Sequence, residues 1–226
     1  MDSVEKPSRE EYFRNQIEAS RKKFRFCKVS TRCVERFKEL IYKSSGGNSK
    51  GPILCLGTRN GRELDIFRNL FFGGRLKSQL MKLSEKEEHA FSSRVSFLES
   101  WGKSSIENIG ETSVIGVEIN PDGKRRDVLI CSFDEMPAEW AGKFKIVYSN
   151  TLDHAHNPLK AAKEWYRVLA SGGHMILGFP GEPVKTTSAN PSGDLGFEEI
   201  KSFFPGELIY YNKYGNCFAD AIIKKR

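Results

Sequence analysis

The sequence is poor in the features that announce metal, disulfide or membrane chemistry. No Cys-x-x-Cys pair occurs, so no zinc ribbon or redox dithiol is expected. The five cysteines, Cys27, Cys33, Cys55, Cys131 and Cys217, are odd in number and widely spaced, which argues for reduced intracellular thiols over a disulfide framework. No apolar run approaches the length of a membrane span, and Met1–Lys6 is too polar to start a signal peptide. No internal repeat or low-complexity tract is present. A soluble, cytoplasmic protein without a membrane partner is expected, its 226 residues forming one α/β domain with additions.

Two nucleotide signatures are also missing. There is no phosphate-binding loop with its lysine, and no G-x-G-x-x-G. What stands in their place is Ile53-Leu54-Cys55-Leu56-Gly57-Thr58-Arg59-Asn60-Gly61. Four apolar residues read as a buried strand, a glycine-bounded turn follows, and Leu64, Phe67 and Phe71 mark one face of the next helix. Arg59 occupies the position where a second glycine would let backbone approach a pyrophosphate, which disfavours a dinucleotide. A second apolar run, Val114–Val117, ends in Glu118, whose carboxylate can accept both hydroxyls of a ribose. Turn and acid together suggest an adenosine-containing cofactor; an ordinary strand-to-helix turn is the alternative reading.

The rest of the chain is organised around that turn. Residues 1–50 read as two amphipathic helices: a loose stripe of Tyr12, Phe13, Ile17 and Phe24, then a tighter one of Val34, Phe37, Leu40 and Ile41. Ser30 or Thr31 caps the second, and Ser44–Asn48 ends it. The pattern leaves open whether this extension covers a substrate pocket or packs on the sheet. Gly61 and Glu118 stand much farther apart than the roughly 20 residues usual in such folds. The excess implies an insertion at about 73–112, with Leu76, Leu80 and Leu83 at helical spacing, in a structural or partner-binding role.

Further strands are expected at 127–131, 144–149 and 174–179, with a helix at about 159–169 whose inner face is Ala162, Trp165, Tyr166 and Leu169. Ser171-Gly172-Gly173 reads as that helix's left-handed cap. Strands alternating with helices imply a parallel, doubly wound sheet. The long turn at 181–194, polar and rich in Pro, Ser and Thr, is the best substrate-facing segment.

At this point the sequence resembles a family. "FKIVYSNTLDHAHNP" followed by "EWYRVLASGGHMIL" is similar to the fourth and fifth motifs of the class I S-adenosylmethionine-dependent methyltransferases; "GVEINPDG" resembles their second motif, "SFDEMP" their third and the Gly57–Gly61 turn their first. The Gly-x-Arg-x-Gly turn and the Ser-Asn-x-Leu-Asp-His segment further resemble one methyltransferase-like subgroup. The resemblance implies a Rossmann-like, doubly wound, seven-stranded sheet, mostly parallel with an antiparallel last strand, over residues 51–226, behind a helical extension at 1–50.

It also implies S-adenosyl-L-methionine as cofactor. By position, Gly57, Thr58, Arg59 and Gly61 would line the methionine end, Glu118 the ribose, Ile119, Ser132 and Phe133 the adenine, and Asn150 the methionine end again. Ser132 stands where the family often has an aspartate, and Cys55 where an acid often supports the turn. Asp153 and His154, just past the fourth strand, are the candidates for handling the acceptor's proton; capping a helix or binding the methionine amine is the alternative. His89 and His174 are read as structural, and no metal site is expected, since Asp153, His154 and His156 lack a fourth ligand.

The acceptor is read as a small molecule, because the Asn-Pro-Pro-aromatic motif of base aminomethyltransferases is absent. A nucleic-acid acceptor is the second reading. It draws on the net charge of +7 and on basic clusters at 21–28, 124–126 and 224–226, the first interleaved with Phe24 and Phe26. A cofactor-binding or regulatory protein without catalysis is the rival from another class.

Overall fold

The computed structural model describes residues 7–24, 27–73, 104–215 and 218–226. Most of the expected insertion, with Leu76, Leu80, Leu83 and His89, lies outside the described residues, as do Arg25, Phe26 and Cys217.

The elements run α1 (Arg9–Lys22), α2 (Thr31–Ser44), β1 (Ile53–Leu56), α3 (Arg62–Phe72), β2 (Val114–Glu118), β3 (Val128–Ile130), β4 (Phe144–Ser149), α4 (Pro158–Val168), β5 (Leu169–Phe179), α5 (Phe197–Ser202), β6 (Gly206–Tyr214) and β7 (Phe218–Lys225). One seven-stranded sheet has the order β3-β2-β1-β4-β5-β7-β6. Strands β1 to β5 pair in parallel, and β7 runs antiparallel to both β5 and β6. The order reverses between β1 and β4, the switch point at which open α/β sheets leave a crevice beyond the strand tips.

Alternation along the central strands supplies both faces with apolar side chains. Leu54, Leu56, Ile115, Val117, Val147, Met175 and Leu177 pack with Ala161, Ala162 and Trp165 of α4. Ile53, Cys55, Val114, Ile146, Tyr148 and Ile176 pack with Val34, Phe37 and Ile41 of α2 and Leu64, Phe67 and Leu70 of α3. Buried on both sides, these strands read as near-continuous apolar runs. Ser30 caps α2, its hydroxyl accepting from the Cys33 amide at 3.3 Å.

Two local expectations are corrected. The paired glycines do not end α4; that helix gives way at Leu169 to extended backbone, and Gly172 and Gly173 lie inside a long β5. Gly172 has φ +65°, and a Cβ on Gly173 would stand 2.9 Å from the Lys145 carbonyl. The pairing of β4 with β5 shifts there, between Phe144 and Ile146, so the glycines accommodate a bulge and not a cap. Tyr166 is only partly buried, and the buried face of α4 is Ala161, Ala162, Trp165 and Val168.

The first helix packs on neither face of the sheet. Its buried residues are Tyr12, Gln16 and Ser20, a mostly polar stripe spaced by four, so of the expected apolar stripe of Tyr12, Phe13, Ile17 and Phe24 only Tyr12 is buried.

His174 is fully buried on β5, one ring nitrogen 2.7 Å from the Ser44 hydroxyl and Nδ1 without a partner. Burial, helped by Lys224 and Lys145, pushes its pKa down to about 4. A depressed histidine costs stability as pH falls through the unfolded value near 6.5, because the unfolded chain then binds a proton that the native state refuses. Relative to wild type, His174→Gln should gain about 2 kcal/mol between pH 7.5 and pH 5 in urea unfolding. Parallel pH profiles for the two proteins would contradict this.

Candidate functional site

A crevice of about 620 Å³, its open mouth included, lies at the tips of β1, β2, β3 and β4. Each strand contributes residues at or just past its end: Gly57 and Arg59 after β1, Glu118 and Ile119 at the end of β2, Ser132 and Phe133 after β3, Thr151 and His154 after β4. The polar stripe of α1 forms the opposite wall, with Tyr12, Gln16, Ser20 and also Lys23.

Glu118 is the hub. Only 3% exposed, its Oε2 accepts from the Arg59 amide at 2.6 Å. Its Oε1 accepts from the Asn120 amide at 3.0 Å and from the Ser20 hydroxyl at 3.2 Å. One carboxylate thus ties together the turn after β1, the turn after β2 and α1. It has about four acceptor directions and three donors, so capacity for one more remains, and a second opens if Ser20 withdraws.

The turn is held by close approaches that glycines permit. Gly57 has φ +73°, and a Cβ there would stand 2.6 Å from the Thr151 methyl. Gly61, at φ +76°, starts α3 against the Arg125 guanidinium. Arg125 donates to the Asn60 carbonyl at 3.2 Å and to Asp65 and Asp127, while Arg68 also spans Asp65 and Asp127. This mostly buried network anchors the start of α3 to the β2–β3 edge. Paired charges of this kind are costly to break one at a time.

Arg59 is the single non-glycine among the described residues with positive φ, at +49°. Its amide faces Glu118 and its carbonyl lies where a Cβ on Gly123 would come within 2.2 Å. Its guanidinium exerts a charge effect on Glu63, Cys27 and Lys28.

The remaining sequence-derived candidates divide by direction. Thr58 is buried beneath the turn, its Oγ1 where a Cβ on Gly116 would reach it at 2.9 Å. Asn150 turns to Glu63, donating to Oε1 at 3.2 Å. Ser132 bonds Asp134, and the Phe133 carbonyl accepts from the Trp165 indole at 3.1 Å. His154 lines the crevice, whereas Asp153 does not; its carboxylate interacts with Lys28. The 181–194 turn reaches the crevice at Ala189, whose carbonyl accepts from Gln16 at 2.9 Å and faces His154 Nδ1 at 2.7 Å. A carbonyl can only accept, so Nδ1 carries the proton and Nε2 of the neutral ring keeps its lone pair. The Tyr12 hydroxyl donates to the His154 carbonyl at 2.8 Å.

Tyr12, Gln16, Ala19, Ser20, Lys23 and Thr151 line the crevice although pattern reading did not select them as site residues, whereas Ala189 belongs to the 181–194 turn that it did select. The available signal was the spacing of Tyr12, Gln16 and Ser20 by four. No group of three or more His, Cys, Asp or Glu among the described residues is placed to hold a metal ion. No helix among them is long and apolar enough to cross a membrane.

A family profile described as "Methyltransferase domain" matches residues 103–177, from before β2 into β5, and stops short of the Gly57–Gly61 turn. Among solved structures, the N-methyltransferase NodS from Bradyrhizobium japonicum WM9, in complex with S-adenosyl-L-homocysteine, is similar at TM-score 0.51 and 10% identity, over 93% of this chain and 98% of that one. The 1,6-didemethyltoxoflavin-N1-methyltransferase of Burkholderia thailandensis, with bound 1,6-didemethyltoxoflavin and S-adenosylhomocysteine, is similar at 0.51 and 12%, over 100% and 93%. A SAM-dependent methyltransferase from Aquifex aeolicus follows at 0.50 and 10%, over 88% and 100%. No curated protein matches significantly. At these identities the likeness is one of architecture: the chain has the Rossmann-like methyltransferase fold.

Positive φ gives a direct test of the turn. Arg59→Gly and Arg59→Ala both remove the guanidinium, but only glycine is at ease at φ +49°. The glycine variant should be the more stable by about 1 kcal/mol in denaturant unfolding. Equal stabilities would mean that the turn does not hold this conformation in solution.

Proposed function

We propose that the crevice binds S-adenosylmethionine and that the chain transfers its methyl group to a small-molecule acceptor. The observation that carries the reading is Glu118, a buried acid at the tip of β2, facing the crevice with acceptor capacity to spare, between the Gly57 turn and Ser132–Phe133. The residues fit the cofactor. Gly57, packed without a side chain against Thr151, lines the crevice beside it, and no phosphate-binding loop is needed for a nucleoside joined to an amino acid. Glu118 would take the ribose hydroxyls, Ile119, Ser132 and Phe133 the base, and Gly57, Arg59 and Thr151 the amino-acid end. Thr58, Gly61 and Asn150 would support that end from behind.

When bound, the cofactor supplies an activated methyl group on a sulfonium, so the chain's own work is alignment, exclusion of water and movement of one proton. Alignment falls to Glu118 and the turn. Water is limited by α1, held across the crevice by Tyr12, Gln16 and Ser20. That roof also favours a small acceptor over a polynucleotide. His154 offers Nε2 as the base for the acceptor's proton, its ring oriented through Nδ1 by Ala189, and Asp153 Oδ1 lies 4.0 Å from Nε2. In this reading residues 51–226 form the methyltransferase-like unit, and the 1–50 extension supplies one wall of its site.

Two measurements test it. Calorimetry should detect S-adenosylmethionine or S-adenosylhomocysteine binding to wild type, weakened in Glu118→Ala by about 1.5–3 kcal/mol, the worth of charge-assisted hydrogen bonds. Unchanged affinity in a folded variant removes Glu118 from the site. In a methyl-transfer screen, His154→Gln should run about 10²–10⁴-fold slower than wild type at nearly unchanged cofactor affinity. Full activity of that variant across pH would leave His154 a positioning role. Tight binding without turnover of any acceptor would favour a cofactor-binding protein without catalysis.

A further inference from the structure

Glu63, one layer behind the crevice, is not accounted for by the site as described. It sits in the first turn of α3, 4% exposed. Its Oε1 accepts one long hydrogen bond, from Asn150 Nδ2 at 3.2 Å, and its Oε2 has no partner. A buried carboxylate oxygen without a donor is expensive, and an apolar side chain would serve packing better. The arrangement makes sense if a donor from outside the chain completes it.

The position says which donor. Leu56 pairs with Ser149, so Gly57 and Asn150 are the next residues on neighbouring strands, and Gly57 lines the crevice. Glu63 bonds Asn150 and feels the charge of Arg59, another lining residue. It therefore lies behind the end of the crevice opposite Ser132 and Phe133, where the amino-acid portion of the cofactor would reach. We propose that Glu63 receives the α-ammonium group of that portion, and so distinguishes the complete aminoacyl nucleoside from one lacking the amine. The inference rests on the cofactor reading above.

A consequence is proton linkage. Burial pushes the Glu63 carboxyl up to about 7, with Glu118 adding to the rise and Arg59, Asn150 and Lys28 opposing it. An arriving ammonium favours the ionised form, so binding releases a proton and tightens as pH rises from about 6 to 8. The other groups facing Glu63 are Cys55 on β1, Tyr148 on β4, and Cys27, all pushed up by burial and neutral in this window. Lys28 is shifted down by burial, and Asp220 up to about 7. Their contributions are shared by wild type and a Glu63 variant, so the difference between the two reports Glu63.

The test is calorimetric binding of S-adenosylhomocysteine and of its deamino analogue, which keeps the carboxylate, in phosphate and in Tris at pH 7. Wild type should prefer S-adenosylhomocysteine by about tenfold or more, the worth of a charge-assisted bond. In Glu63→Gln the preference should shrink to within about threefold, with affinity for the deamino analogue retained and the buffer-dependent proton release gone. Should the glutamine variant fail to fold by circular dichroism, Glu63→Asp, which keeps the charge but withdraws it, should show an intermediate preference. A folded variant that keeps the full preference, or a wild type that binds both nucleosides equally, overturns the assignment of Glu63 alone. A wild type that binds neither overturns the cofactor reading together with it.

Discussion

The Glu118 carboxylate is the constraint on which the site depends. Three segments far apart in sequence end on its two oxygens: the Arg59 amide, the Asn120 amide and the Ser20 hydroxyl. Charge-assisted bonds of this kind are stronger than neutral ones, and burial deprives the carboxylate of competing water. It can be so placed because Gly116, two residues earlier on β2, lacks a side chain and lets Thr58 pack against the strand. Gly123 in turn lets the next turn approach the Arg59 carbonyl. A backbone at positive φ in Arg59 is the local cost, offset by a 2.6 Å bond to an ionisable acceptor.

The first helix of the extension walls one side of the crevice. It is held by polar contacts to Glu118, His154 and Ala189, and at its ends by exposed ion pairs, Arg9 with Glu135 and Arg21 with Asp122. Exposed pairs contribute little, so the buried polar contacts carry the docking. Few apolar side chains fasten this wall. The apolar core on both faces of the sheet is continuous without it.

Sequence reading recovers what periodicity encodes. Strands β1, β2 and β4 have the limits that their apolar runs imply, and α2 carries the buried stripe of Val34, Phe37 and Ile41. Of the site candidates, Gly57, Arg59, Glu118, Ile119, Ser132, Phe133 and His154 come together around the crevice, all of them at strand tips. What was illegible has physical reasons. The anchoring face of α1 is mostly polar, so a search for apolar spacing finds Tyr12 and misses Gln16 and Ser20. Gly172 and Gly173 carry the same letters whether they cap a helix or relieve a bulge. Glu63 reads as an ordinary acid at a helix start, and only three-dimensional burial reveals its missing partner. Asn150 and Asp153 are in the expected segment, but alternation after β4 turns Asn150 towards α3, and Asp153 stays off the crevice lining.

The central claim, that Glu118 is where a ribose binds, is tested most directly by a crystal structure grown with S-adenosylhomocysteine. The account predicts both ribose hydroxyls within hydrogen-bonding distance of the Glu118 carboxylate, with the Arg59 and Asn120 amides still in place and the Ser20 hydroxyl moved aside or shared. A nucleoside seated elsewhere, with the bond between Ser20 and Glu118 intact, would contradict it.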